Sequence, residues 1–209
     1  MLDQVKIYPN GIEVAPGTAK STIGGNIAVL KENGLLLNVD GKRVVNERAS
    51  NHAILDVLMN QESKMLYLLL DQEHFDIFRE EVAEGGISQA DIDQWLAQNG
   101  SQTPYFYHAS NLKELAELAG MDGDTLEKTV ARYNQFVAEG EDKEFHRELR
   151  FLQKPVGEGP YYLIEQKPRF ATTMGGLVVN TDLSVVNTEG HVIKGLYAAG
   201  EVVGGVMGT

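Results

Sequence analysis

The sequence predicts an α+β fold, and three observations lead to that prediction. Four segments carry apolar residues at helical spacing behind recognisable helix starts. Short apolar runs bounded by turn residues predict strands between and after these helices. The longest apolar run, Leu66 to Leu70, has the length of a buried strand and falls far short of the ~20 residues of a membrane span.

The four predicted helices have start and stop signals of known physical origin. One covers Asn51 to Met59, with Ile54, Val57 and Leu58 on one face. The other three begin at polar residues that can cap a first turn, and two of those starts have an acidic residue at the reciprocal position of a capping box. They are a helix from Ser88 (with Asp91) to before Gly100, one from Asn111 (with Glu114), and one from Asp124 to Gly140.

The segments around these helices are predicted to be less regular. Residues from Met1 to about Thr22 are rich in Gly and Pro and predict a strand end followed by a loop. The charged stretch from Gly140 to Pro160 has no clean period and predicts a long loop. From Pro168 to Thr209, short β-type runs alternate with turns, and four glycines lie in the last ten residues. Glycines cluster where the backbone approaches something closely or adopts positive φ.

Composition excludes several classes of function. The chain has 209 residues, which suits one or two domains, and a formal net charge of -12, which disfavours a nucleic-acid partner. It has no cysteine, so disulfides and thiolate metal sites are absent, as expected of a cytoplasmic protein. The five histidines have no spacing that builds a metal site on one helix face. We therefore expect a cytoplasmic protein without a membrane span or a metal.

Two stretches stand out beyond composition. The first runs from Asn38 to Arg48, with a β-turn predicted at Asp40-Gly41 and Asn46-Glu47-Arg48 just before a helix. The second is Thr173-Met174-Gly175-Gly176-Leu177, followed later by Gly195 to Glu201. Spacing alone favours an ordinary helix start for the first and glycine-bearing strand turns for the second.

These residues carry a resemblance to the FAD-dependent fumarate reductase and succinate dehydrogenase flavoprotein family. Gly41 to Glu47, read GKRVVNE, resembles the family's GKRFVNE; Thr173 to Gly176 resembles TMGG. Gly195 to Gly205, read GLYAAGEVVGG, resembles GLYAAGEVTGG. The helix pair from Asn111 to Gly140, with Ala131-Arg132-Tyr133-Asn134, also resembles a family segment. The matches together extend over most of Gly34 to Thr209.

The resemblance implies a domain organisation. In this family a Rossmann-like FAD domain is interrupted by a capping domain inserted before the TMGG strand. Residues 1–9 and 168–209 are then expected to be short, β-rich parts of the FAD domain, and residues 10–167 the capping, or substrate-clamp, domain. The Gly-x-Gly-x-x-Gly turn that holds the FAD pyrophosphate is absent from this chain. The resemblance thus implies an inactive fragment that binds FAD weakly or not at all by itself, and needs the rest of the FAD domain as partner.

The resemblance also implies roles for individual residues. Hydride passes from reduced FAD to an activated C=C bond, and an arginine from the cap delivers the proton. Arg48 is the nearest match to that arginine; the alternative is a surface arginine at a helix start. Glu201 is expected to bind the ribityl chain of FAD, and Gly175, Gly176 and Gly200 to bring backbone close to the cofactor.

Departures from the family pattern affect the substrate more than the reaction. Arg48 follows Asn46-Glu47 directly, whereas fumarate reductases have several residues between. Tyr8 and Thr172 replace two expected histidines, and Asn26 to Leu30 lacks a Thr-Glu…Arg pattern. Three expected dicarboxylate contacts are therefore missing. The implied substrate is a small unsaturated acid or a related enone. The competing hypothesis is a non-catalytic ligand-binding module from a degenerate flavoprotein.

Overall fold

The computed structural model describes residues 5–204 and divides the chain into two compact units. One unit contains residues 8–169; the other contains the N-terminal residues up to 7 together with residues 170 onward. Residues 1–4 and 205–209 lie outside the described part, including Gly205, the last residue of the Gly195–Gly205 motif. The strands β1 (Val5–Ala15) and β6 (Tyr161–Thr173) have residues in both units.

The larger unit is built on one sheet of six strands, in which β1 with β2, β3 with β4, and both β4 and β5 with β6 pair antiparallel. The path through the sheet is β2-β1-β6-β4-β3, and β5 also pairs with β6. The strands are β1 (Val5–Ala15), β2 (Thr18–Ser21), β3 (Leu35–Leu37), β4 (Leu66–Asp71), β5 (Phe106–Ala109) and β6 (Tyr161–Thr173).

Helices cover both faces of this sheet. The first four pack in one core cluster and the last two in another. They are α1 (Ile23–Leu30), α2 (Asn51–Asn60), α3 (Gln72–Glu81), α4 (Gln89–Gln98), α5 (Leu112–Ala119) and α6 (Gly123–Glu139). None of the helices in residues 5–204 combines the length and apolarity needed to cross a membrane.

Strand β4 explains the three-layer arrangement. All six of its residues are buried, and its side chains alternate between the two clusters. Leu66, Leu68 and Leu70 pack with α1 to α4, while Tyr67 and Leu69 pack with α5 and α6. Successive strand side chains point to opposite faces, so a strand that is apolar throughout requires a cover on each side.

The structure confirms the mixed helix and strand content and each of the four predicted helices. Ser88 caps α4 in a capping box with Asp91, and the side chain of Asn111 accepts a hydrogen bond from Glu114 N at the start of α5. The last helix starts slightly earlier than predicted, because Asp122 caps it by accepting from Thr125 N. The turn at Asp40-Gly41 is also present: Gly41 N donates to Asn38 O.

Two parts of the fold differ from the prediction. The segment predicted as a loop after Tyr8 is a β-hairpin, in which β1 and β2 pair around a turn at Pro16 and Gly17. Helix α1 was not predicted, because Gly24 and Gly25 have low helix propensity. Both glycines are needed for packing against α3. A Cβ on Gly25 would lie 2.4 Å from the Phe78 ring, and a Cβ on Gly24 would lie 2.6 Å from Glu81 O, so a larger residue at either position would clash.

The smaller unit contains a two-stranded antiparallel sheet of β7 (Ser184–Val186) and β8 (Val192–Tyr197). Every residue of β8 is exposed. Exposed apolar side chains are concentrated in this unit, among them Val178, Ile193, Leu196 and Tyr197. Contiguous exposed apolar surface commonly marks an interaction site.

In the larger unit, Asp71 at the end of β4 is buried and holds several groups together. Its carboxylate accepts hydrogen bonds from Asn33 Nδ2 and Gly157 N, both at 2.7 Å, and from His74 N at 3.0 Å; His74 Nδ1 lies 2.7 Å away. Burial by itself raises the pKa of this carboxyl. The bonds to His74 and Gly157 outweigh burial and lower the pKa to about 2.

This lowered pKa predicts an acid-sensitive contribution to stability. A carboxyl group with a pKa near 3.9 in the unfolded chain and a lower one in the folded chain stabilises the fold above pH 4. We expect about 2 kcal/mol of unfolding free energy to be lost as the pH falls from 4 to 2. Urea unfolding of the 209-residue chain across this range should show the loss, and Asp71→Asn should flatten it. Asp93→Asn, at an exposed carboxylate, is the control; an equal effect of both would contradict the assignment.

Candidate functional site

A cavity of about 250 Å³ lies in the larger unit, beside α1 and the start of α2. Helix α1 contributes Ile23, Asn26, Ile27 and Leu30, and β1 and β3 contribute Pro9, Asn10 and Leu36. The segment from Glu47 to Ala49, with Asn51 and Ile54 of α2, completes the lining. The wall therefore combines seven apolar residues with five polar ones, a mixture that can hold a small molecule and orient it.

Arg48 lies on a tight turn at this cavity. Its backbone N donates to Asn46 Oδ1 at 2.8 Å, and Ala49 N donates to Asn46 O. Its side chain is exposed, and its guanidinium carbon lies 4.4 Å from the centre of the Phe151 ring. Among the described residues, Arg48 has no carboxylate partner in an ion pair. The guanidinium is thus oriented by an aromatic ring and available to an anion.

The residue before Arg48 belongs to a buried cluster of four charges. Glu47 accepts from Arg43 Nε and Nη2, each at 2.9 Å, and from Arg147 Nη1 at 3.2 Å. Arg43 Nη2 also donates to Asp142 Oδ2 at 2.9 Å. Burial opposes the charge on Arg43, but Glu47 and Asp142 raise its pKa overall, and Arg43 in turn lowers the pKa of Asp142. The cluster contains two positive and two negative groups. Because Glu47 directly precedes Arg48, its bonds to Arg43 and Arg147 keep the turn at Arg48 in place.

Arg147 anchors the same turn from the other side. Its guanidinium donates to the carbonyl oxygens of Leu30 at 2.7 Å, Glu32 at 2.8 Å and Gly34 at 3.1 Å, and to Phe151 O at 2.8 Å. It therefore ties the end of α1 to the loop after α6. No local pattern predicts this role, since Arg147 is one charge in an irregular, charged stretch.

A polar network supports the α1 side of the cavity. Thr22 Oγ1 donates to Gln166 Oε1 at 3.2 Å, and Asn26 Nδ2 donates to the same oxygen at 2.7 Å. Asn26 is 7% exposed and Asn10 is 4% exposed. The side-chain oxygens of both are buried and accept no hydrogen bond from any described residue. These two asparagines were not among the predicted site residues.

In the smaller unit, the structure brings the two glycine-bearing motifs together. Leu177 N donates to Val202 O at 2.8 Å, and Gly204 N donates to Leu177 O at 3.0 Å. A Cβ on Gly176 would lie 2.4 Å from Val202 O, so only glycine allows this approach. Gly200 has φ +76 with nothing near its Cβ position, and the side chain of Glu201 is exposed. Gly175 is half-buried beside them.

The predicted site residues therefore lie in two places. Gly175, Gly176, Gly200 and Glu201 belong to adjoining segments of the smaller unit. Arg48 belongs to the larger unit and lines its cavity. Sequence reasoning missed Arg147, Asn10 and Asn26, because each acquires its role from residues far away in the chain. Groups of three or more His, Asp or Glu that could hold a metal ion do not occur among residues 5–204.

Comparison with known proteins relates the chain to flavoproteins. The model of the FAD binding domain family matches residues 13–209. A curated fumarate reductase (cytochrome) of Shewanella frigidimarina is 36% identical over 182 residues, which is 87% of this chain and 29% of that protein. Urocanate reductase of Eggerthella lenta is 30% identical over 180 residues, 86% of this chain and 28% of that protein.

A solved structure shows the same similarity. The open conformation of a flavocytochrome c3 fumarate reductase superposes with a TM-score of 0.69 at 26% identity, covering 98% of this chain and 32% of that one. The chain thus spans less than a third of the length of these relatives.

Proposed function

The chain belongs to the FAD binding domain family, among flavoproteins similar to fumarate reductase, and we propose that the protein containing it reduces an activated C=C bond using FAD. The observation that carries this proposal is the side-by-side position of the two glycine-bearing motifs, which leaves Gly200 and Glu201 on one accessible surface. The named relatives reduce fumarate and urocanate, which both contain a C=C bond conjugated to a carboxylate.

The residues present suit their proposed part in holding FAD. The Glu201 carboxylate is exposed and can accept hydrogen bonds from hydroxyl groups of a ribityl chain. Gly200 has open space where a side chain would stand, so a flat cofactor can approach its backbone. Gly175 and Gly176 form the neighbouring backbone. When bound, FAD supplies the hydride, and this chain contributes only part of the FAD site.

Arg48 is proposed to deliver the proton. The hydride adds to one carbon of the double bond and a proton must reach the other, so that C=C becomes CH–CH. The positive guanidinium also stabilises negative charge that develops on the conjugated carboxylate. Since Arg48 is exposed and its guanidinium has no carboxylate partner among residues 5–204, it can receive a proton from solvent after each turnover.

We further propose that the larger unit is the capping domain and the smaller unit part of the FAD domain. This assignment is supported by the cavity in the larger unit and by the exposed apolar surface of β8 in the smaller one. It is also supported by the division between the compact units after residues 7 and 169, each two residues from the boundaries predicted after residues 9 and 167. The apolar surface is where we expect the rest of the FAD domain to pack.

The test is a visible absorption spectrum of the purified full-length protein. We expect a bound oxidised flavin that bleaches on reduction and recovers when one enoate is added. The isolated 209-residue chain should retain little or no flavin, because its sequence contains no Gly-x-Gly-x-x-Gly turn to hold the pyrophosphate. A full-length protein that takes up no flavin after reconstitution would exclude the reductase and favour a ligand-binding module.

A further inference from the structure

A second cavity of the larger unit is surrounded by positive charge. Its volume is about 490 Å³, which is within the usual range of small-molecule sites. Helix α6 contributes Lys128, Thr129 and Arg132 to its wall, and the turn after β3 contributes Lys42. This cavity shares no lining residue with the one beside α1, so the two are separate places on the larger unit.

The wall of this cavity is basic although the chain as a whole is acidic. The chain has 18 Lys and Arg against 30 Asp and Glu, yet four of the eight lining residues are basic and one is acidic. Arg43, one of the four, is already balanced by its buried partners Glu47 and Asp142. Three basic side chains against the carboxylate of Glu144 leave a surplus of two positive charges.

The two lysines of the cavity have no partners of their own. Among residues 5–204, the Nζ atoms of Lys42 and Lys128 form no ion pair and no hydrogen bond. The acidic residues at the start of α6 are used elsewhere, because Asp124 and Glu127 both pair with Lys113 of α5. Lys128 also lies four positions before the basic residue 132 on the same helix, and like charges at this spacing destabilise a helix. An anion bound between them would remove that repulsion.

Arg132 is held in one orientation at the edge of this cavity. Its Nε donates to Glu144 Oε1 and its Nη1 donates to Gln135 Oε1, both at 3.1 Å. Its guanidinium carbon also lies 4.4 Å from the centre of the Phe136 ring. The third nitrogen, Nη2, makes no hydrogen bond within residues 5–204. A side chain fixed in this way loses little further freedom when it binds a ligand.

We propose that this cavity binds a small molecule through a phosphate or diphosphate group, which Lys42, Lys128 and Arg132 Nη2 hold together. A phosphate group carries a charge of about −2 and three acceptor oxygens on one atom, which matches the surplus of two positive charges. A single carboxylate carries one charge and two oxygens, and would leave a cation unpaired. Thr129, which is half-buried in the wall, adds a hydroxyl donor.

Isothermal titration calorimetry tests the proposal on the full-length protein, loaded with FAD so that its flavin site is filled. The probes are inorganic pyrophosphate, ADP and citrate in magnesium-free buffer. We expect pyrophosphate and ADP to bind with Kd below about 1 mM and more weakly as salt is added, since salt screens exposed charges. Tighter binding of ADP would identify an organic phosphate as the ligand, and equal binding a free one; both support the site. Tighter binding of citrate, whose charges lie on separate carboxylates, would overturn the phosphate assignment.

Charge-removing variants locate the bound anion. Lys42→Gln and Lys128→Gln change exposed side chains, and each should weaken pyrophosphate binding about tenfold, the value of one charged hydrogen bond. Lys31→Gln, at an exposed lysine that lines neither of the two cavities, is the matched control and should bind pyrophosphate as the unaltered protein does. Arg48→Gln should also leave the affinity unchanged.

Three results would overturn the site. They are absence of binding up to about 10 mM pyrophosphate, an affinity that both lysine changes leave intact, and loss of binding in Arg48→Gln, which would place the anion in the other cavity. Because Lys42, Lys128 and Arg132 have no part in the proposed reduction, each result leaves the reductase function untouched.

Discussion

Replacing Arg48 with glutamine is expected to lower kcat for enoate reduction by the full-length protein by about 10²–10⁴-fold, the usual contribution of a positioned proton donor. Glutamine is similar in length but carries no charge and does not donate a proton at neutral pH. The flavin should stay bound, because the residues proposed to hold it lie in the other compact unit. Stopped-flow reoxidation of the reduced flavin by the preferred enoate measures the step directly.

Arg150 offers a matched control for this experiment. Its guanidinium also lies over the Phe151 ring, at 4.7 Å, but it is paired with Glu148 and does not line the cavity. In the Arg150→Gln variant, the reduced flavin should therefore be reoxidised at the same rate as in the unaltered protein. Equal rates in Arg48→Gln and the unaltered protein would show that Arg48 is a surface arginine at a helix start, and the proton would have to come from another group.

The parts of the fold that could be predicted are those with local causes. Ser88, Asn111 and the αL glycines at Gly120 and Gly140 begin and end helices through bonds within a few residues. Helix α1 has no such signal. Its glycine pair argues locally against a helix, and the helix exists because Gly25 allows close contact with Phe78. Tertiary packing here outweighs helix propensity, and the contact between α1 and α3 is not visible in the local sequence.

The same distinction applies to the site. The glycine motifs and Glu201 could be predicted because their sequences resemble motifs of the fumarate reductase flavoprotein family. Their adjacency, through Leu177 and Val202, is visible only in the structure. The cavity could not be predicted at all, since it combines β1, α1, β3 and the turn before α2. Arg147 and Glu47 are 100 positions apart, and no local pattern connects them.

In the buried charge cluster, Glu47→Gln should lower the free energy of unfolding by about 3–5 kcal/mol. The change leaves Arg43 and Arg147 buried with Asp142 as the one remaining anion of the cluster. Uncompensated buried charge is strongly destabilising, and the bidentate pair of Glu47 with Arg43 is lost as well. Urea unfolding of the 209-residue chain at neutral pH gives the difference.

Glu139→Gln is the matched control for that variant. Glu139 also pairs with a cation four residues away, Lys143 at 2.7 Å, but both side chains are at least one-third exposed. Exposed pairs of this kind contribute about 0.3–0.5 kcal/mol, so the control should unfold almost as the unaltered chain does. A loss below about 1 kcal/mol in Glu47→Gln would mean that the cluster tolerates an unpaired cation, contrary to its burial.

A double variant then tests whether charge balance is the cause. Arg147→Met removes one cation together with its bonds to the carbonyls of Leu30, Glu32 and Gly34, and should be destabilising by itself. Combined with Glu47→Gln, it leaves Arg43 and Asp142 as one balanced pair. The double variant should therefore lose less stability than the sum of the two single variants, by about 1 kcal/mol or more. Simple additivity would show that lost hydrogen bonds, rather than unbalanced charge, account for the effect of Glu47→Gln.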